Sequence, residues 1–415
     1  MPGIGIIGVI AGRGGSSPCP PPSTGWVRDP NWMPMPEIDE TDEVFYGLLL
    51  VFENDYNLVT WSTTAGTTID VGDGTAPITG TGSAQSHLYD YDSISATVYQ
   101  YQPEPDVPAR NYKQVMFTVT GTINVLSFRS TVGINNGGSN NFVDINCSLP
   151  NRTGNSFRLS SNSASLRKMP ICERVRIWNW NGAYIASSTF DGMSGLRVVQ
   201  IPFEVGDCSY LFDNCSSLDV GDFTTNATTI TNIGRPRSTY QSVRSFGNIV
   251  ANNVVIAGIV TMFYRNYNLR YIESLTSTTA TSISSYATDC TELQYHGEIN
   301  VPNCTDITQA FDGCVKLQSL NFTDCSNITT TTNALRDCNS LYDLVMNGLT
   351  VGINLSDTNL ANYGMSRFAN SIGTASGSQT ITVTDTPFGA LLSASDATAL
   401  AIETVMTGKG YTIAN

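Results

Sequence analysis

Four positions separated by a constant 24 residues, Asn266, Cys290, Cys314 and Cys338, sit in the same surroundings. Phe263, Ala287, Phe311 and Leu335 stand three residues before them, and Leu269, Leu293, Leu317 and Leu341 three after. The next step gives Ile272, His296, Leu320 and Leu344. A unit this short cannot bury its own apolar side, whereas stacked copies can. The second half of the chain is therefore expected to coil into a solenoid with these residues along its dry spine.

The spacing matches that of leucine-rich repeats, whose period lies at about 20–29 residues. The array begins before Asn266. Phe190-Asp-Gly-Met193-Ser-Gly-Leu196 and Phe212-Asp-Asn-Cys215-Ser-Ser-Leu218 read like Phe311-Asp-Gly-Cys314-Val-Lys-Leu317, and a degenerate copy fits near Ser242. Each coil is expected to run as a strand (Leu317 to Phe322), a polar loop and one helical turn (Ile307 to Phe311). Cys304-Thr-Asp-Ile307 and Cys325-Ser-Asn-Ile328 lie 21 residues apart, with Thr329 to Thr332 absorbing the difference.

At 415 residues, 41% hydrophobic and 13% charged, the chain belongs with folded proteins of more than one core. Ser, Thr, Asn and Gly outnumber charges, which suits strands and polar loops better than long helices. A formal net charge of −14 repels phosphate backbones, so nucleic acid is not an expected partner. No run reaches the roughly 20 apolar residues of a membrane span. Ile4 to Ala11 is apolar but lacks a basic start and a cleavage site, and it reads as part of a Gly/Pro-rich arm continuing through Pro18 and Pro20 to Pro22. Ten cysteines invite a disulfide reading. Neighbouring coils stack about 4.7–4.9 Å apart with parallel side chains, while a disulfide wants Cβ atoms near 3.8 Å and turned toward each other. Cys290, Cys314 and Cys338 are thus expected as a column of buried thiols. No C-x-x-C pair supports a zinc site.

Four regions follow. Residues 1–40 form a docking arm with Trp26, Trp32, Pro30, Pro34 and Pro36, whose large rings must pack on another surface. Residues 41–148 carry short strands (Glu43 to Phe52, Leu58 to Thr63, His87 to Asp92, Gln114 to Phe128) separated by turn residues, the pattern of a β-sandwich. Residues 149–350 hold the solenoid. Residues 351–415 are expected as a small α/β cap over its open end, with helices Asn359 to Ile372 and Ser395 to Met406 and strands Gln379 to Thr384 and Tyr411 to Ala414. The fold class is mainly β with α/β repeats.

Chemistry finds little footing. His87 lies in a strand motif and His296 in the inward ladder, so both read as structural. Gly12-Arg-Gly-Gly15 lacks the length and lysine of a phosphate loop, and no nucleophile elbow or metal triad appears. Asp39/Glu40 and Asp42/Glu43 fall in a polar linker, outside any cleft the sequence defines. Asp70 and Asp73 suit a tight turn, with calcium as the second reading. The chain is expected to be a binding or structural protein without catalytic residues, cofactor or metal.

The F-x-x-C-x-x-L-x-x-L anchor resembles the leucine-rich repeats of BspA-like bacterial surface proteins. Ile69-Asp-Val-Gly72-Asp73-Gly74, His87-Leu-Tyr89-Asp-Tyr91 and Tyr112-Lys-Gln-Val115-Met-Phe-Thr-Val119 resemble a PKD-type domain, except that Val71 replaces the usual aromatic. The order of these parts after the Trp32-x-Pro34-x-Pro36 lead is similar to virion structural proteins of tailed bacteriophages. That resemblance implies a tail-fibre or appendage component, homo-oligomeric in the particle, docked on other virion proteins by its N-terminal part. Its solenoid would face a host cell-surface receptor, a glycan among the candidates. A capsid-decoration or head-fibre role and a bacterial surface adhesin are the alternatives. An adhesin would carry an export signal or anchor, and none is read in the sequence, which favours the virion.

Overall fold

A computed structural model describes residues 26–39, 41–102, 108–128, 140–150, 157–159, 169–180, 189–200, 211–220, 223–225, 230–231, 243–251 and 259–415. The arm before Trp26 and Ser242 itself lie outside these residues, whereas 243–251 of the degenerate copy lie within them. The fold is mainly β, with 33% strand against 9% helix, and contains a β-solenoid of about seven turns.

The N-terminal part contributes β1 (Val44–Phe52), β2 (Leu58–Thr63), β3 (Thr68–Asp70), β4 (Ile78–Thr79), β5 (Ala84–Leu88), β6 (Tyr99–Tyr101), β7 (Arg110–Thr120), β8 (Leu126–Ser127), β9 (Phe142–Leu149) and β10 (Phe157–Arg158). Its larger sheet runs β9-β1-β7-β3-β4, with β6 also on β7, and the smaller runs β10-β8-β2-β5. The two meet across an aromatic core in which Trp61 packs on Phe117 with ring centroids 5.3 Å apart and Phe128 lies 5.0 Å from both Phe45 and Phe142.

The run Leu48-Leu-Leu-Val51-Phe52 has a simple cause. Phe45, Leu49 and Val51 face this core, while Leu48, Leu50 and Phe52 face a second apolar cluster on the outer side with Tyr112, Val143 and Trp32. A strand buried on both faces needs continuous rather than alternating apolar residues. Trp26 and Trp32 thus dock on this chain's own sheet. The strap carrying them is held by Trp26 Nε1 donating to Glu173 (2.8 Å) and Arg28 to Asp144 (2.8 Å).

The larger sheet crosses residue 148 without a break. β9 pairs in parallel with β11 (Arg174–Trp180), which pairs in parallel with β12 (Val198–Gln200). Arg174 also donates to the fully buried Asp144 carboxylate (Nε to Oδ1 2.8 Å), so that acid is neutralised by two arginines at the junction. Then come β13 (Asp219–Val220), β14 (Phe223–Thr225), β15 (Ile230–Thr231), β16 (Ser245–Ala251), β17 (Ile259–Val260), β18 (Tyr271–Thr276), β19 (Tyr295–Asn300), β20 (Ser319–Phe322) and β21 (Asp343–Met346). Their sheet, ordered β13-β16-β18-β19-β20-β21 with β14 on β16, is parallel throughout, since each strand is the same part of a successive coil.

The helical turn expected at Ile307 to Phe311 does not form, and the α/β character of the repeats goes with it: among the described residues no coil carries a helix. The N–H groups there are committed elsewhere. Ile307, Gln309, Phe311 and Gly313 donate to Thr330, Thr332, Ala334 and Arg336 of the next coil at 2.8–3.0 Å, and Ile283, Ser285, Ala287 and Asp289 do the same one coil earlier. Left-handed residues recur within this ladder every 24 positions, at Thr261, Ser285, Gln309 and Asn333 and again at Arg265, Asp289, Gly313 and Asp337, all with φ between 52° and 76°. An α-helix of L-residues cannot pass through such positions.

Beyond the coils lie β22 (Ile353–Asn354), α1 (Asn362–Ser371), β23 (Gln379–Thr382), α2 (Pro387–Ser393), α3 (Ala397–Gly408) and β24 (Tyr411–Ala414). Helix α1 covers the edge of the solenoid sheet at β21, with Gly364 directly over the Tyr342 carbonyl, where a Cβ would not fit. Lys409 donates to the Ala369, Asn370 and Ile372 carbonyls and so closes the C-terminal end of α1. The cap residue of α3 is Asp396, which accepts from Ala399 N at 2.9 Å, rather than Ser395. The sequence reading missed α2, although Thr386 followed by Pro387 is an N-cap and first-turn pair.

Candidate functional site

The repeat anchors form an internal column. Cys215, Asn266, Cys290, Cys314 and Cys338 are all fully buried, as are Leu269, Leu293, Leu317 and Leu341. Each thiol donates to a carbonyl three residues before the preceding anchor: Cys290 to Phe263 (3.1 Å), Cys314 to Ala287 (3.1 Å), Cys338 to Phe311 (3.2 Å) and Cys215 to Phe190 (3.0 Å). Asn266 reaches differently, its amide donating to Val243 at 3.0 Å. At these five anchors the residue is a donor, Cys at four and Asn at one, while the flanking positions stay apolar; Met193 in the first copy fills the position without donating. Burial pushes these thiols far above their ordinary range, so they are neither thiolates nor nucleophiles. A second column places Cys304 and Cys325 one coil apart, with Cys304 pushed up by burial to about 11.

The two histidines are structural in geometry. His296 is buried between Tyr286 and Phe311, with Nδ1 3.1 Å from the Gly297 carbonyl and Nε2 3.3 Å from the Tyr286 hydroxyl. Desolvation lowers its pKa to about 4. His87 Nε2 lies 2.6 Å from Asp73, and its ring stands edge-on to Tyr89, whose hydroxyl donates to the Val71 carbonyl at 2.7 Å. Asp70 accepts from Gly72 N at 2.8 Å and Asp73 from Thr75 N at 3.0 Å, so both close local turns. Burial pushes the Asp73 carboxyl up, but the bonds from Thr75 and His87 outweigh it and hold the group below its usual range. Among the described residues no three His, Cys, Asp or Glu side chains converge as metal ligands. Asp39 and Asp42 cap one another's turn, and Glu43 accepts from Ile123 N at 2.6 Å. No helix among the described residues is long and apolar enough to cross a membrane.

What remains is the outward face of the strand ladder, and here the sequence reading missed the informative residues. Strands β18 to β21 turn Ile272, Leu275, His296, Ile299, Leu320, Phe322, Leu344 and Met346 inward. One row beside them reads, in register, Asp219, Ser245, Tyr271 and Tyr295, and one coil on at a time Ser319 and Asp343; Ser245 and Tyr271 are buried within it and the other four are partly exposed. Tyr271 and Tyr295 stack with centroids 4.8 Å apart and planes 14° from parallel. Tyr271 bonds Glu273, and burial first, then Glu273 and Glu298, raises the Tyr295 hydroxyl pKa. The aspartates at both ends of the row are paired, Asp219 with Arg244 and Asp343 with Arg367. A parallel row carries Asn248, Ser274, Glu298, Asn321 and Val345. The signal was present: Tyr271 and Tyr295 stand 24 residues apart, directly before the inward Ile272 and His296.

On β11 of the larger N-terminal sheet, Trp178 is 40% exposed and donates to Asn146 at 2.5 Å, with the Arg176 guanidinium 5.8 Å from the centre of its ring. Ion pairs tie successive coils along the edges, among them Arg265–Asp289 (3.3 Å), Lys316–Glu292 (2.6 Å) and Arg336–Asp312 (2.5 Å). No family model, no characterised protein and no solved structure matches the chain.

Proposed function

We propose that the chain is a virion structural protein of a tailed bacteriophage, a tail-fibre or appendage component that presents its solenoid to a host cell-surface receptor. Under this reading the strands before β11 form a PKD-like sandwich that docks on neighbouring virion proteins with the N-terminal arm, and the coils are BspA-like leucine-rich repeats that have traded their helical turn for a second ladder. The role is one of binding, with no catalytic step.

The single observation that carries it is the solenoid's long strand face, polar and tyrosine-bearing, on coils locked to one another by two ladders and by ion pairs. Stacked coils of this kind present an extended surface suited to binding another macromolecule. The chain's acidity fits a surface partner that is not nucleic acid. Immunogold labelling of purified particles with antibodies against the chain tests the reading. Label on tails or fibres is the expected result, and unlabelled particles would overturn it.

A capsid-decoration role, with the solenoid as a stiff spacer, draws on a different observation: one hydrophobic core runs unbroken from Phe45 to Tyr411. Label confined to heads would select it.

A further inference from the structure

The geometry points to a saccharide subsite at Tyr295, built from the uncovered side of the tyrosine stack together with Asn321, Glu298 and Ser319. This inference rests on the reading of the strand face as the recognition surface.

Tyr295 has a tyrosine on one side only. Toward the next coil its neighbour in the row is Ser319, a side chain too short to cover an aromatic ring, and Tyr295 and Ser319 are both partly exposed. The ring itself is held in place: its hydroxyl lies over Gly297, where a Cβ would come within 3.3 Å of it, and its back is packed on Tyr271. A rigid aromatic face standing beside a notch one side chain deep, at the roughly 4.8 Å spacing of coils, suits the flat C–H face of a pyranose. Glu298, three residues further along the same strand, pairs in register with Asn321, the first exposed and the second partly so. A carboxylate accepts from sugar hydroxyls and a primary amide both accepts and donates, and binding sites of this type combine one apolar platform with a few placed polar groups.

The charge pattern selects the class of sugar. Arg244 and Arg367 are committed to Asp219 and Asp343, and around the tyrosine stack Glu273 and Glu298 outnumber the exposed Arg270. An anionic polysaccharide would meet repulsion there, whereas a neutral one would not. The occupant is therefore a neutral polysaccharide. Its repetition along a cell surface would let several copies of the chain add weak contacts into useful avidity.

Retention of the full chain on immobilised dextran, mannan and N-acetylglucosamine oligomers tests this, with Tyr295→Ala, Tyr295→Phe and Asn321→Ala variants of native far-ultraviolet spectrum. The wild type and Tyr295→Phe should bind at least one of the three. Tyr295→Ala and Asn321→Ala should each weaken that binding by about tenfold, the equivalent of roughly 1.4 kcal/mol. No retention on any of the three, or retention indifferent to both alanine variants, overturns the subsite. Unlabelled particles together with Tyr295-dependent saccharide binding would remove the virion reading and leave the subsite standing.

Discussion

The anchor residue of each coil does two jobs that pull toward different side chains. It must be small enough for the spine, and it must satisfy a carbonyl that the coil above would otherwise leave with one donor. Cysteine meets both, and replacing it tests each. Cys314→Ala removes the sulfur volume and the bond to Ala287, so unfolding in urea should show a loss of about 1–3 kcal/mol with the m-value unchanged. His296 gives the residue scale a pH signature. Its pKa is lowered from 6.5 to about 4 in the folded state, so the unfolded chain binds the proton first. Stability is then fully present above the unfolded value and falls as pH drops from about 6.5 toward 4, by as much as roughly 3 kcal/mol. Urea titrations between pH 7 and pH 4 should show this slope. The double variant His296→Leu with Tyr286→Phe, which removes both buried partners of one hydrogen bond, should flatten it.

At the scale of the element, the coil is defined by where its backbone turns left-handed. Ser285 holds φ 52° with a side chain that prefers otherwise, while Gly313 holds φ 76° with Asp289 Oδ1 2.6 Å from the place a Cβ would take. Opposite shifts should follow in thermal unfolding: Ser285→Gly stabilises by about 0.5–1 kcal/mol and Gly313→Ala destabilises by about 1–2 kcal/mol. These positions also explain what the sequence reading saw and what it missed. The anchors and flanking leucines were legible because their side chains are chosen by burial, which recurs with the period. The turn ladder was not, because Thr261, Ser285 and Gln309 carry no side chain that favours the left-handed region; their N–H groups are committed to Ser284, Thr308 and Thr332 of the next coil, and Gly313 is the plainest sign of the turn. Strand β24 coincided with its expected bounds, whereas the expected strand from Gln114 to Phe128 is broken after Thr120 by Gly121, with φ 101°. On the candidate face, Tyr271 and Tyr295 were spaced as plainly as the cysteines, but attention to inward periodicity passes over the outward residues that alternate with it.

For the whole molecule, the consequence is continuity. Strand β11 joins the N-terminal sheet to the first coils through the Arg28–Asp144–Arg174 cluster, α1 closes the far edge, and one core runs between them. A body built this way transmits position from its N-terminal sheet to its last coil, which is what an appendage needs and what a loosely tethered domain would lack. Under the proposed function this body projects its strand face outward from a particle. Electron cryomicroscopy of phage particles, read for density of this chain, tests the proposal most directly: the N-terminal sheet should be seated on the particle and the solenoid, with Tyr295 on its strand face, open to solvent. Density that buries the solenoid in the capsid or tail wall, with that face covered by a neighbour, would contradict it.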